Sequence, residues 1–402
     1  MNQMQLKALT AEIERQHQEE FETIHRKILR FAEIGMQEFR SSRCLIEYMQ
    51  GRGFTVEHPY CGFETAFCAS KGTKGPKIAF LAEYDALPGY GPDKHNAHAC
   101  GHNWIAAVTA GASVTLAEVC EKAGIDAQVL LIGTPAEESY GTKVEMAASH
   151  RLDDIDLCLQ AHLESRTSIC THGLALSSLK FHYKGKAAHA SIAPWDGINA
   201  LDAVQLVFAG VNALRQHIRP DARIHGVVTH GGDVPNTVPD SASALFYIRA
   251  AKRSYADQLM EKMLNIAKGA ELMTGAKLEV EYPELPMDDI LHLPVLQELT
   301  ERHLRKEGFI PTLTDEEAAA AAGSSDIGNV SHVCPTMYLE VAPPNAPQPF
   351  LPHAESSLAL LEDPCVFEAL HAVARAMTEI ALEALQNPQI LDEAKKELRE
   401  RI

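Results

Sequence analysis

The sequence predicts a two-domain α/β protein, in which a mainly parallel sheet flanked by helices is interrupted by a small βαββαβ unit of the ferredoxin-like kind. Three observations predict it. The chain has 402 residues, more than one ordinary hydrophobic core organises. β-rich runs at 77–83, 127–134 and 156–161 alternate with helix-like stretches at 103–122 and 141–149, an order that gives parallel strands with helices on both faces. From Leu174 the order becomes strand 174–184, helix 198–217, strands 222–230 and 241–251, helix 254–273 and strand 277–282.

The remaining elements follow from periodicity and punctuation. Residues 6–31 place Leu6, Leu9, Ile13, Phe21, Ile24, Ile28 and Phe31 mostly at three- and four-residue steps, the stripe of an amphipathic helix. A second helix, 41–50, stops at Gly51, and ETAFCAS (64–70) reads as the first strand. After YPELPMDDI come a helix (294–307), a GSSD turn (323–326), a strand (336–342), the Pro-rich APPNAPQPFLP loop and a long helix from about 355. The EEAAAAAG run reads as a helix or a mobile loop. The expected domains are 1–173 with 290–402, and 174–289 inserted between them.

Composition narrows the function. Hydrophobic content of 46% with 22% charged residues is that of a folded globular chain. A formal net charge of −18 argues against nucleic-acid and anionic-membrane partners and is compatible with a neutral or cationic small molecule. No apolar run approaches the roughly 18 residues of a membrane span. The N-terminus is polar, with no signal core. Nine cysteines, an odd number with no CxxC pair, read as reduced thiols of a cytoplasmic protein, most of them small core residues.

Chemistry-bearing residues gather at strand ends. KIAFLA runs into Glu83 and Asp85, QVLLIGTPA into Glu137 and Glu138, and DLCLQA into His162. In open α/β sheets the carboxyl ends of parallel strands are where side chains converge. The stretch AEYDALPGYGPDKHNAHACGHN (82–103) adds Cys100 and His102, two residues apart. On a helix they would diverge, whereas in a turn permitted by Gly101 both face one ion. Cys, His and carboxylate together suit zinc, manganese or cobalt better than magnesium or calcium. Of the adjacent pair, one carboxylate can bind metal while the other takes a proton from water, whose pKa a bound ion lowers from about 15.7 toward 7. Each residue has a plainer reading. Paired Glu after a strand favour a helix N-terminus, a lone Cys packs, and His95 and His98 read as solvated loop residues. Their joint occurrence at three strand ends favours the metal.

The motifs AEYDALPG…HACGHN, GTPAEE, QAH, KGKAAHAS and PHAE resemble the M20 family of metallopeptidases, specifically its subfamily D amidohydrolase branch. That branch includes aminobenzoyl-glutamate hydrolases and dipeptidases similar to aminoacylase-1-like protein 2. The resemblance implies a di-metal catalytic domain with a mainly parallel sheet and an inserted ferredoxin-like dimerisation domain. It implies Cys100 as bridging ligand and His102, Glu138, His162 and His353 as the other ligands of two divalent ions per subunit, zinc or manganese with cobalt as an alternative. Glu137 matches the general base, Asp85 the carboxylate that orients a ligand, and His189 an oxyanion-stabilising residue that reaches the partner subunit's site. Asn236 and Arg249 match groups that hold the substrate's carboxylate or polarise its carbonyl, and Gly323 and Ser324 lie in a substrate-binding loop. The sequence departs from the commoner DMDALP and HACGHD patterns at Glu83, Tyr84 and Asn103, and Asn103 is excluded as a ligand.

The implied function is hydrolysis of an amide bond in a small N-acyl or N-aroyl amino acid or dipeptide, by a homodimer assembled through the inserted domain. Hydrolytic deamination of an aromatic amine, a non-catalytic metal- or ligand-binding role, and a hydrolase using Cys100 as nucleophile are the alternatives.

Overall fold

The computed structural model describes residues 1, 3–311 and 323–402. The chain forms two compact units, Met1–Thr171 with Ile290–Ala322 and Asp326–Ile402, and His172–Asp289 with Gly323–Ser325. Of the EEAAAAAG run, all but Gly323 lies outside the described residues.

The first unit opens with helices α1 (Gln3–Phe31) and α2 (Phe39–Gly51), then strands β1 (Thr55–Glu57), β2 (Phe67–Lys71), β3 (Lys77–Ala82), β4 (Leu87–Tyr90) and β5 (His95–Ala97). It continues with α3 (His102–Ala123), β6 (Gln128–Gly133), α4 (Thr142–Ala148) and β7 (Leu157–Leu163). The second unit comprises β8 (Ala175–Lys184), α5 (Ala200–Leu214), β9 (Arg223–His230), β10 (Ser241–Ala250), α6 (Arg253–Thr274) and β11 (Lys277–Glu281). The chain returns to the first unit with α7 (Pro294–Lys306), α8 (Ile327–Ser331), β12 (Thr336–Val341), α9 (Pro364–Gln386) and α10 (Pro388–Arg401).

The first unit's sheet runs β1-β2-β6-β3-β7-β12. Strands β6, β3, β7 and β12 are mutually parallel, and β2 and β1 extend the edge antiparallel. Strand alternation builds two cores. Ile78 and Phe80 pack with α1, α3 and α9, while Ala79 and Leu81 pack with Met146 of α4 and Ile327 and Val330 of α8. Helix α3 is apolar nearly all round because it is covered on nearly every side, and Trp104 inside it donates to the Val366 carbonyl at 3.1 Å. It is long and apolar enough to cross a membrane, but 94% of its apolar window is buried inside the protein. The helices and parallel strands thus reproduce the mainly parallel α/β architecture expected of this segment.

Several local expectations are corrected. The strand expected at 64–70 is β2 and begins at Phe67, because Tyr60 to Ala66 fold as a turn in which Ala66 donates to the Phe63 carbonyl. Strand β1 and the β4–β5 hairpin are too short for periodicity to register. The long helix starts at Pro364, not near 355. Residues Glu355–Glu362 are 3₁₀-helical, and Asp363 caps α9 by accepting from the Cys365 backbone N–H at 3.0 Å.

The second unit is a four-stranded antiparallel sheet in the order β11-β8-β10-β9, with α5 and α6 packed on it, which is the ferredoxin-like arrangement of a βαββαβ chain. Phe181, Tyr183, Phe246 and Ile248 form its core with Val204 and Val207 of α5 and Leu259 and Met263 of α6. Asn199 caps α5 by accepting from the backbone N–H groups of Leu201 (2.9 Å) and Asp202 (3.3 Å).

Candidate metal centre

The centre forms at the carboxyl ends of β3, β6 and β7. Past β3 the chain delivers Asp85, past β6 Glu137 and Glu138, and His162 lies near the end of β7. Gly101 has φ +80°, so Cys100 and His102 sit on a turn at the N-terminus of α3, as their spacing requires. His353, itself at φ +64°, is anchored by its backbone N–H to the Ala99 carbonyl at 2.9 Å. The late Pro-rich loop is thereby fixed against the HACGH turn.

Side chains from segments far apart in sequence converge. Cys100 Sγ lies 3.4 Å from His162 Nε2, His353 Nε2 lies 3.0 Å from Glu138 Oε1, and His102 Nε2 lies 3.8 Å from Glu138 Oε1. Two donor triads result, Cys100/His102/His162 and Cys100/Glu138/His353, each with its ligand atoms within 4.8 Å of one another, and they share Cys100. Glu137 belongs to a third group with His102 and Glu138.

The imidazole tautomers fit cation binding. His102 Nδ1 lies 2.8 Å from Asp85 Oδ1, and the other oxygen of Asp85 accepts from the Glu138 backbone N–H at 3.0 Å. A carboxylate accepts, so in the neutral ring Nδ1 carries the proton and Nε2 keeps its lone pair. Nε2 is buried and has no hydrogen-bond partner. His162 Nδ1 donates to the Leu163 carbonyl at 2.7 Å, so its Nε2 is likewise left as a lone pair, directed at Cys100. A thiol, carboxylates and two imidazoles that can each present Nε2 fit a divalent metal.

Burial weighs on every charged group of the pocket, with different outcomes: for His102 burial opposes protonation, but Asp85 and then Cys100 outweigh it and raise its pKa well above the ordinary range. Burial pushes the Cys100 thiol well above its ordinary range, only partly offset by His102. Burial, then Glu83 and Asp326, push the Glu137 carboxyl well above the carboxylate range. For Glu138 burial is again the largest influence and raises its pKa, but the hydrogen bond from His353 and the charge of His102 outweigh it, so this carboxyl is held below the ordinary range. Burial, then His102, lowers His162. Cys100 and Glu137 are the groups made costly to ionise, and a nearby cation would favour their charged forms.

Neighbouring residues of the same motifs resolve differently. His95 is exposed and bonded to Asp93, but His98 is 1% exposed, not solvated, and its Nε2 donates to the Ile28 carbonyl at 3.1 Å. Burial, then His102, lowers His98 to about 3. Asn103, excluded as a ligand, donates from Nδ2 to the His25 ring at 3.2 Å, and His25 in turn donates to the Leu361 carbonyl at 2.6 Å. Tyr84 is core: it donates to the Thr65 carbonyl and stacks on Phe67. His371 is committed elsewhere, to Glu14 and Glu22. Sequence reasoning missed Lys143 and Gln160, both 0% exposed and bonded to Glu83. A lysine on an amphipathic stretch carries no sign that it is interior.

The remaining candidates lie in the second unit. His189 pairs across a bridge with Thr237, and the Asn236 carbonyl accepts from the Ala190 backbone N–H at 3.0 Å, so two motifs far apart in sequence become neighbours. Arg249 donates to Ser324 Oγ at 2.6 Å, and the Gly323 carbonyl accepts from the Leu174 backbone N–H at 2.7 Å.

Residues 175–272 match the peptidase dimerisation domain of the M20 family. The chain is 31% identical over 354 residues to the Xaa-Arg dipeptidase of Mus musculus, covering 85% of this chain and 79% of that protein. This chain is an M20 protein. It is also 34% identical over 263 residues to a p-aminobenzoyl-glutamate hydrolase polypeptide of Escherichia coli K12, covering 62% of this chain and 55% of the relative. A dinuclear metal-binding peptidase of the M20 family from Bacillus subtilis has the same fold, with a TM-score of 0.67 at 17% identity, covering 92% of this chain and 99% of that one. As an M20 member the protein is a hydrolase acting on C–N bonds.

Proposed function

We propose that the protein is a di-metal amidohydrolase that cleaves the amide bond of a dipeptide or an N-acyl or N-aroyl amino acid. The observation that carries this reading is the pair of donor triads sharing Cys100, with Glu137 beside them. Cys100, His102, Glu138, His162 and His353 would hold two divalent ions, zinc or manganese with cobalt as an alternative. The names of the relatives, an Xaa-Arg dipeptidase and a p-aminobenzoyl-glutamate hydrolase, support the substrate class.

When bound, the ions would supply polarisation of the scissile carbonyl and acidification of water. The chain's own residues do the rest. Asp85 holds the His102 ring in the tautomer that presents Nε2. Glu137 accepts the proton of the attacking water on its carboxylate and returns it to the departing amine nitrogen. Arg249 and Asn236 grip the substrate's carboxylate beside the Gly323–Ser324 loop. His189, carried on the inserted dimerisation domain, supports the oxyanion in the other subunit of a homodimer. The nine free cysteines fit a reducing cytoplasm.

The test is a hydrolysis screen of zinc-, manganese- and cobalt-reconstituted protein over dipeptides with basic C-terminal residues, aroyl-glutamates and acyl-amino acids, with ammonia release followed in parallel. Amine release that requires metal supports the reading. Ammonia release without amide cleavage, or turnover that survives chelation, excludes it.

A further inference from the structure

Glu83 stands where the commoner motif has Asp, and the roles above leave it unused. It is 1% exposed at the end of β3. Its Oε1 accepts from Lys143 Nζ at 2.5 Å and from Gln160 Nε2 at 2.7 Å. Lys143 also donates to Asp326 Oδ1 at 2.5 Å, and its backbone N–H donates to Asp326 Oδ2 at 3.1 Å. Glu83, Glu137 and Asp326 together form a donor group of the kind that holds metals, but an ammonium already lies between two of its members. That pocket is plugged by Lys143 and is not a third metal position.

The other oxygen of Glu83 points the opposite way. Oε2 faces His102 Nε2 at 3.6 Å, too far for a hydrogen bond. Nε2 is the buried lone pair without a partner. With the His102 ring neutral, as metal ligation requires, two electron-rich atoms face each other in a dry pocket and repel unless a cation lies between or beside them. In the metal-free protein a proton can take that place, because burial opposes protonation of His102 but Asp85 and then Cys100 outweigh it and raise its pKa. The charge count points the same way. One ammonium serves two carboxylates in the Glu83–Lys143–Asp326 trio, so the trio has one negative charge left to face a second cation on the His102 side, a proton on the ring or a metal ion. The Cys100/His102/His162 triad, by contrast, offers a divalent ion only neutral rings and a thiolate shared with the neighbouring triad.

We propose that Glu83 is the charge-balancing carboxylate of the metal position held by Cys100, His102 and His162, and that Lys143 and Gln160 are the positioning residues that aim it there. This rests on the two-ion reading above. Glu83 completes the neutralisation of that ion, while Lys143 keeps the far side of the carboxylate occupied so that it does not turn away.

The test measures metal content and affinity, with the cobalt(II) absorption spectrum as a probe of coordination, in wild type, Glu83→Gln and Glu83→Asp. Glu83→Gln keeps the shape and an acceptor for Lys143 but removes the charge. Its metal-free form is expected to melt no lower than wild type, and one of two ions is expected to bind about 10- to 100-fold more weakly with an altered cobalt spectrum. Glu83→Asp keeps the charge but withdraws it from His102, and an intermediate loss is expected, which also serves if the Gln variant does not fold. Two ions bound by both variants with wild-type affinity and spectrum would overturn the role of Glu83 alone. A wild-type protein that takes up fewer than two ions would overturn the two-ion reading, and this inference with it.

Discussion

Asp85 does two jobs with one carboxylate. One oxygen fixes the His102 ring and the other accepts the backbone N–H of Glu138, so a single side chain orients candidate ligands from two segments. Asp85→Asn retains the size but loses the certainty of the tautomer, because an amide can present either a donor or an acceptor to Nδ1. Metal affinity is expected to fall by roughly 10- to 100-fold, measured by competition with a chromophoric chelator. Glu137→Gln should behave in the opposite way. It leaves the two triads intact, so metal content should stay at the wild-type value while kcat falls by about a thousandfold, within the range for loss of a general base. Retained turnover would reassign the base.

At the scale of elements, helices are held by polar contacts that take no part in the metal site. Asn199 satisfies two N–H groups at the start of α5, so Asn199→Ala is expected to cost about 1 kcal/mol in denaturant unfolding. Helices α1 and α9 are joined by His371, whose Nδ1 lies 3.0 Å from Glu14 and Nε2 3.1 Å from Glu22, with Arg375 also bonded to Glu14. Burial works against protonation of His371, but the two glutamates outweigh it, and its pKa is raised. The folded state therefore holds the proton more tightly than the unfolded chain. The stabilisation is fully present below the ordinary histidine value of about 6.5 and is lost as pH rises through the folded value. The destabilisation caused by His371→Gln should be larger at pH 6 than at pH 8.5, by on the order of 1 kcal/mol or less given the partial solvent exposure. A pH-independent difference would remove the ion pair as its cause.

For the whole molecule, metal couples stability to function. Ligands that bind only the folded state raise the melting temperature with concentration, so chelation should lower it and zinc or manganese should restore it. The proposed homodimer makes a sharper demand. His189→Ala and Glu137→Ala chains should each be inactive alone, and their mixture should recover activity as subunits exchange, because each heterodimer pairs one intact Glu137 with one intact His189. No recovery despite exchange confirmed by mass spectrometry would place His189 outside the reaction.

Alternating strand and helix patterns, and the change of pattern at Leu174, determined from sequence alone the α/β class and the ferredoxin-like insertion, because local periodicity records which face of each element is buried. The Cys100–Gly101–His102 turn and the Glu137–Glu138 pair were legible for a different reason: such chemistry is rare at closely spaced positions. Only the tertiary structure decided what depends on contacts between distant segments. It showed that His98 is buried against Ile28 rather than solvated, that Asn103 serves His25, and that Lys143 lies in the interior between Glu83 and Asp326. Sequence spacing carries no information about which partner a polar side chain finds across the fold, and in a dry interior that partner determines its charge, its tautomer and its role.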